Sequence, residues 1–471
     1  MVFLAYVEER NANEGIRRVI MENQQKHSGY TKKTAIAYAL SQGGGFMLIQ
    51  ATVASYFSNF MTDTVMIPAA AASIIMFIAT LWDAINDPIM GGICDRTKTK
   101  YGSYRPYLLW VPIVLTVVSF FLFLNPSGLT TTQKVLYIGV FYILYGMGVT
   151  ALTMPQMALM PAVTKNDKER NHAVTLGMIS VAIAFTIAST FTTSFVGFFG
   201  SYAPLMIIYG VLAILANLML FRNTRERYII STDGRSVWED LKVFGRHKKL
   251  IIMLIIWMMS SVGYGAMFST SVYYMMYYIM RPDLIGAYMG VLSIGALISM
   301  MVLMPFFIKV LKTPTKAFIF TQAVTLVCYV LLFFVGNKNM TILFVVSGVA
   351  TAFSAMEQAL INFFVNDTID YIQLKENVSM NGMVSAIKGF SYKCGSTLVS
   401  SGVLAVLAAS GYIANAIGQE PESAMIAINS LRFALPAATC VILIVCLIFN
   451  PVEPHRAEIN KMKESMKAID E

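Results

Sequence analysis

Charged residues along this chain come in bursts, and between the bursts run long stretches without a single Asp, Glu, Lys or Arg. Thr34–Thr62, Thr64–Trp82, Pro106–Gln133 and Val135–Thr164 are the first four. Ala173–Phe221 covers 49 residues, room for two crossings broken at FVGFFGSYAP. Leu250–Met280, Leu284–Ile308, Ala317–Asn337, Asn339–Met356, Cys394–Gln419 and Phe433–Val452 follow. A helix needs about 20 apolar residues to cross a bilayer, so the pattern predicts twelve transmembrane helices, the shorter ones extending past a flanking charge. Six precede a polar stretch of 27 residues, Arg222–Lys248, and six follow it. Two six-helix halves of this kind suggest parallel repeats around a central cleft. The expected organisation is an N-terminal segment 1–33, a first half 34–221, a linker 222–248 with a short amphipathic helix near Val237–Phe244, a second half 249–451 and a tail 452–471. MENQQKHSGYTKK from Met21 would itself serve as a short cytoplasmic start, which leaves the first 20 residues either a mis-assigned start or a loose amphipathic helix.

Composition agrees with an all-α membrane protein. At 56% hydrophobic and 13% charged, with mean hydropathy +0.63, the chain is too apolar for a soluble globule of its length. The net charge of +9 is topogenic and does not mark a nucleic-acid binder. Of the 35 Lys and Arg, 29 fall in alternate segments that include both ends and the linker. The opposite loops are assigned Lys134, Arg281, Lys338 and Arg432, while Lys388 and Lys393 lie inside the eleventh span. This asymmetry places both termini in the cytoplasm by the positive-inside rule, and the linker cations against anionic lipid headgroups. The five cysteines lie in or beside spans without a CxxC pair and read as packing residues. No P-loop, HExxH or GxSxG is present, and the four histidines all fall outside the spans, so neither an enzyme nor an ATP-driven pump is expected.

The stretch WDAINDPIMGGICDRTKTKYGSYRPYLLW, from Trp82 to Trp110, puts two acids into the second span. Asp83, Asn86 and Asp87 stand at i, i+3 and i+4 and share one helix face. Two ionised carboxylates so close in a low-dielectric setting repel, and either a proton or a cation between them relieves the repulsion. The Asn86 amide oxygen would complete an oxygen shell for Na+ or Li+. Pro88 lacks the N–H that would bond the Ala84 carbonyl and is expected to kink the helix there. The alternative is a structural one, the acids bridged to a lysine for assembly alone. Lys393, in the small-residue run GFSYKCGSTLVSS, supplies such a counter-charge. Lys388 lies nearer the cytoplasm and is expected to snorkel outward. Glu357 and Gln358 are further buried candidates. The tyrosines and methionines of SVYYMMYYIM, Ser271–Met280, read as a lipid-facing belt.

These motifs resemble those of the glycoside–pentoside–hexuronide:cation symporters, the melibiose-permease branch of the major facilitator superfamily. The second-span signature above, Thr62–Asp63 after the first span, PQMALMPAVTKNDKERN, NDTIDYIQLKENVSMNG and the KCGS from Lys393 to Ser396 agree in order and spacing, from about Tyr30 to Pro451. The resemblance implies the major facilitator fold. It further implies that Asp83, Asn86 and Asp87, with Thr150 of the fourth span, hold the coupling Na+, Li+ or H+, and that Lys393 lies between cation and sugar. Asp95, Arg96 and Arg105 match a cytoplasmic gating latch. The departures are equally specific. Where galactoside carriers place acids, an aromatic and an arginine, this chain has Met47, Thr153, Met157 and Met178, with Gln42 at another acid position and Gln358 at an aromatic one. Polar side chains left to line a cleft are Gln42, Gln50, Asn59, Thr153, Gln156, Glu357, Gln358 and Asn362.

The expected protein is therefore a monomeric inner-membrane symporter without cofactor. It would import a glycoside, oligosaccharide or uronide by alternating access, with only membrane lipids and a small saccharide as partners. A lysolipid or other amphiphile, carried or flipped, is the alternative cargo, given the methionines in place of sugar acids. A non-transporting sensor of the same fold is the remaining alternative.

Overall fold

Each charge-free stretch folds into a helical rod. The structure, a computed structural model, describes residues 30–164, 166–228, 244–311, 313–376, 381–459 and 461–462. The expected linker helix and the first 20 residues lie outside these, apart from Phe244. Among the described residues there are twelve rods. The first, α1, comprises Lys32–Gly43 and Gly45–Asn59 and ends in a π-helical turn, Phe60–Thr64. Then come α2 (Ala69–Arg96), α3 (Tyr107–Leu122), α4 (Thr131–Val163), α5 (Asp167–Phe199) and α6 (Ala203–Asn223). The second half begins with α7 (Ile251–Ser269, Ser271–Tyr273 and the π turn Tyr274–Tyr278). It continues with α8 (Ile285–Ile298, the π turn Ser299–Leu303 and Met304–Leu311), α9 (Pro314–Val335), α10 (Met340–Glu376) and α11 (Asn381–Ala409). The last is α12 (Glu422–Asn429, the π turn Ser430–Ala434 and Leu435–Ile448). Nine spans among the described residues are long and apolar enough to cross a membrane by length and composition alone. The other three are α1, broken at Gly44, α3, which is short, and α8, interrupted by its π turn.

Local chemistry sets the ends. Thr31 and Thr34 form a reciprocal capping box on α1, and Thr130 with Gln133 does the same for α4. Gly200 ends α5 in the left-handed region at φ 74°, a conformation that needs glycine. The α2 helix continues unbroken past Pro88, so the expected kink does not interrupt it. Large apolar side chains such as Trp110 and Phe198 stay exposed on the outside, as a lipid-facing surface requires.

An even number of spans separates the N-terminal segment, the linker and the tail, so all three share one side, here the terminus side; the opposite is the far side. The two halves meet along α2 with α11, α5 with α8, and α1 with α7. On the far side these seams are tight. Ser73 donates to the Ser401 carbonyl at 2.7 Å, and the Ser189 and Ser293 hydroxyls lie 2.6 Å apart. Gly286 of α8 lets the chains close: a Cβ there would fall 2.7 Å from the Thr190 carbonyl oxygen. In contrast, α4 and α10 carry no packed interface with each other among the described residues.

Two placements correct the sequence reading. Arg432, assigned above to a far-side loop, lies inside α12 and is fully buried. A charge normally marks the edge of a span, but here the span absorbs it. The Tyr273–Tyr277 segment is also not a lipid belt. Tyr273, Tyr274, Met275 and Tyr277 are buried, because α7 turns this face onto α1 and the loop after α11. There Asp63 gathers donors from three elements. Tyr277 donates to one carboxylate oxygen, Tyr412 reaches both at 2.8 and 2.9 Å, and Asn59 and Thr62 donate at 2.6 and 2.7 Å. The Asn415 backbone N–H adds a contact at 3.2 Å, and its side chain donates to the Asp63 carbonyl at 2.8 Å.

Asp63→Ala should loosen this seam. It would leave buried donors unpaired at a cost of roughly 1–3 kcal/mol each. Spin labels at the exposed positions Thr64 and Asp283, in a background freed of native cysteines, should show a broader and longer distance distribution than wild type. An unchanged distribution would mean that Asp63 does not hold the halves together.

Candidate functional site

The α2 face predicted to bind a cation points into the seam between the halves. Asp87 sits between two partners: Thr150 of α4 donates to its Oδ1 at 2.9 Å, and Lys393 of α11 forms an ion pair with its Oδ2. The Lys393 ammonium also lies 3.4 Å from the Asp83 backbone carbonyl. The Asp83 carboxylate, half-buried, has no hydrogen-bond or ion-pair partner among the described residues. Together the two acids and the one lysine carry one net negative charge. Asn86 is buried at 4% exposure, and its Nδ2 has no partner. Rotating that amide exchanges N–H for oxygen, so Asn86 can face a cation without breaking any existing bond. Asp83, Asn86, Asp87, Thr150 and Lys393 are thus brought together from three helices and both halves.

Two features made this site hard to read in full from sequence. Gly146 of α4 lies directly against Asp83, and a methyl group there would overlap the carboxylate. The run YGMGV gives no sign of which glycine serves this purpose. The other is the Asp63 cluster, whose members lie far apart in the chain.

The remaining candidates separate into three groups. Gln42 donates to Gln156 at 3.3 Å, and Gln156, with no exposure, donates to Asn217 at 2.9 Å and to the Ser41 carbonyl at 3.5 Å. These amides tie α1, α4 and α6 together inside the first half. Thr153 folds its hydroxyl onto the Val149 carbonyl of its own helix, and Asn59 belongs to the Asp63 cluster. On the second half, Glu357 is buried and accepts from Gln322 at 2.8 Å. Its neighbour Gln358 accepts from the Tyr392 hydroxyl at 3.4 Å and keeps a buried amide donor, Nε2, without a partner. Lys388 does not extend into solvent as expected. It is half-buried, with its ammonium 5.4 Å from the centre of the Tyr392 ring in a cation–π contact, and no acid lies within ion-pair distance among the described residues. Gln358, Tyr392 and Lys388 therefore form one polar strip where α11 meets α10.

The latch residues fall on the terminus side. The Asp95 side chain lies outside the described residues, and Arg96 is exposed. Arg105 donates to the Phe221 carbonyl at 2.7 Å and stacks on the Phe221 ring at 4.3 Å. Glu226 accepts from the backbone N–H groups of Ser103, Tyr104 and Arg105 at 2.7–2.9 Å. Burial pulls the Arg105 guanidinium below its ordinary value, and Glu226 opposes that shift. The loop between α2 and α3 is thereby clamped to the end of α6, within one half.

A profile of the family described as MFS/sugar transport protein matches residues 40–454. The isoprimeverose transporter of Lactiplantibacillus pentosus is 26% identical, over 77% of this chain and 77% of its own length. The uncharacterized symporter YjmB of Bacillus subtilis (strain 168) is 26% identical over 94% and 97%. The glucuronide carrier protein homolog of Escherichia coli (strain K12) is 22% identical over 93% and 95%. Among solved structures, the nucleoside transporter NupG (D323A mutant) superposes with a TM-score of 0.64 at 12% identity, covering 88% of this chain and 99% of that one. That likeness shows the shared major facilitator fold. The chain belongs to the MFS/sugar transport protein family, whose members are membrane transporters and not enzymes.

Proposed function

We propose that this protein imports an acid-bearing saccharide by symport with Na+, Li+ or H+, with both termini in the cytoplasm of a cell whose inner membrane it spans. The observation that carries the coupling is the division of labour at α2. Asp87 is shared between Thr150 and Lys393, while Asp83 and the Asn86 amide are left with nothing to bind. A cation at Asp83 and Asn86 would compete with Lys393 for Asp87 and release the lysine toward the cleft. Because Lys393 comes from the second half, its release changes the energy of closing the halves. Cation and substrate then favour the same state, which is what linkage requires of a symporter. The sealing of the far side around Asp63, with no packed interface between α4 and α10 among the described residues, supports reading this arrangement as the one open on the terminus side.

The cargo reading rests on Lys388. An ammonium inside a span without an acid partner is costly, and a carboxylate or sulfonate on the sugar would offset it. The unpartnered Nε2 of Gln358 on the same strip offers a hydrogen bond to the same group or to a ring hydroxyl. The family supports a saccharide, and the similarity to a glucuronide carrier homolog supports an acidic one.

Asp83→Asn and Asp87→Asn should each abolish accumulation against a gradient in proteoliposomes, so that the inside-to-outside ratio of labelled glucuronide falls to about one. Full concentrative uptake by either variant would defeat the assignment of the cation site. Asn86→Ala should weaken Na+ or Li+ stimulation and spare proton-driven uptake, since a neutral amide ligates metal but carries no titrating proton; equal loss of both would remove the metal from this site.

Lys388→Gln should weaken binding of glucuronides by roughly 10–100-fold, the scale of one charge-assisted hydrogen bond, and leave binding of uncharged glycosides unchanged. Lys393→Ala should instead remove the mutual enhancement of cation and substrate binding. Isothermal titration with and without Na+ distinguishes the two. Equal losses for charged and neutral sugars in Lys388→Gln would show that the lysine does not read the acid.

A further inference from the structure

Arg432 is not used by the transport reading, and its surroundings are unusual for a cation inside a membrane span. It lies in the π turn Ser430–Ala434, within the second half, and has no exposed surface. One nitrogen, Nη2, donates to the Tyr288 hydroxyl at 2.7 Å, and that hydroxyl lies 2.9 Å from the Ser347 hydroxyl. The guanidinium sits 4.8 Å from the Phe433 ring centre and 5.5 Å from that of Tyr288. Nε and Nη1 are buried without an acceptor. No carboxylate pairs with Arg432 among the described residues; Glu357 is turned to Gln322 instead.

Other donors nearby are also unsatisfied. The hydroxyls of Tyr274 and Tyr329 are buried without partners, and both rings pack on Phe433, at 5.0 and 6.4 Å. Asn429, one turn earlier, keeps a free amide oxygen, which can accept one hydrogen bond but cannot offset a charge. Arginine does not deprotonate in proteins. An isolated buried cation costs several kcal/mol, of which two aromatic faces return only a part. What the cluster lacks is a small negative charge to match its four unpartnered donors. A π turn widens a helix locally and is commonly found at functional positions.

We propose that Arg432, with the hydroxyls of Tyr274 and Tyr329, binds a small monovalent inorganic anion of the chloride class inside the second half. The close ring packing selects a halide over phosphate or an organic acid. The site is separate from the α2 and α11 groups and does not depend on the identity of the transported sugar.

The test is thermal unfolding of the purified full-length protein at fixed Na+ and ionic strength, with glutamate, which is not a sugar acid, exchanged stepwise for chloride or bromide. Wild type should gain stability saturably with either halide, and Arg432→Gln should show no such gain. A wild type equally stable in glutamate and chloride would overturn the proposal, as would a halide shift that survives in Arg432→Gln. Should Arg432→Gln fail to fold, the Tyr274→Phe, Tyr329→Phe double variant serves. Its half-saturating chloride concentration should rise about tenfold or more, the effect of losing hydrogen bonds to a charged group, and an unchanged midpoint would overturn the proposal.

Discussion

The ion pair between Lys393 and Asp87 is the contact on which the rest of this molecule turns. Both groups lie inside the membrane-spanning region, where an unpaired charge is costly, and they come from different halves. Holding the halves together at α2 and α11 therefore satisfies two charges at once. The pair is incomplete by design of the sequence: two acids face one lysine, and Asp83 is left over. In the proposed function that leftover acid is what a cation would use, and its occupancy would be linked to the fit between the halves.

Around this pair the seam is graded. Toward the far side it is closed by small residues and hydroxyls that let backbones approach, Gly286 against Thr190 and Ser189 against Ser293, and it ends in the Asp63 cluster. Small-residue contacts and side-chain hydrogen bonds are the means available where lipid offers no hydrophobic drive between helices. An acid satisfied by hydroxyls and amides can be released without leaving an opposite charge stranded. This suits an interface that has to open and reclose. Toward the terminus side the clamp of Glu226 on the loop after α2 works within one half, so it stiffens that half without joining it to the other.

The second half uses charge differently from the first. Its strip of Gln358, Tyr392 and Lys388 gathers a cation and two polar side chains where α11 meets α10. Methionines and a threonine stand at first-half positions where galactoside carriers are expected to use acids, an aromatic and an arginine, and the proposed function gives the second half the charged contact to the cargo. Arg432 shows the same half tolerating a buried cation that aromatic rings surround but no acid balances.

The chain's charge-free stretches determined the number of rods, their alternation and the two halves, because the bilayer tolerates only helices whose backbone is satisfied internally. The spacing of Asp83, Asn86 and Asp87 determined their common face, since i, i+3 and i+4 superpose on any α-helix. Lys393 was legible as a lone cation in a small-residue helix. What the sequence could not provide was distance between helices. That Gly146 makes room for Asp83, that Gln42 and Gln156 bond each other, and that Tyr277, Tyr412 and Asn415 converge on Asp63 all depend on packing between segments remote in the chain. Charge as a marker of span boundaries failed at Arg432, where the rings of Tyr288 and Phe433 shelter it. The periodicity of one helix is local, but the partners of a buried polar group are chosen by the tertiary fold.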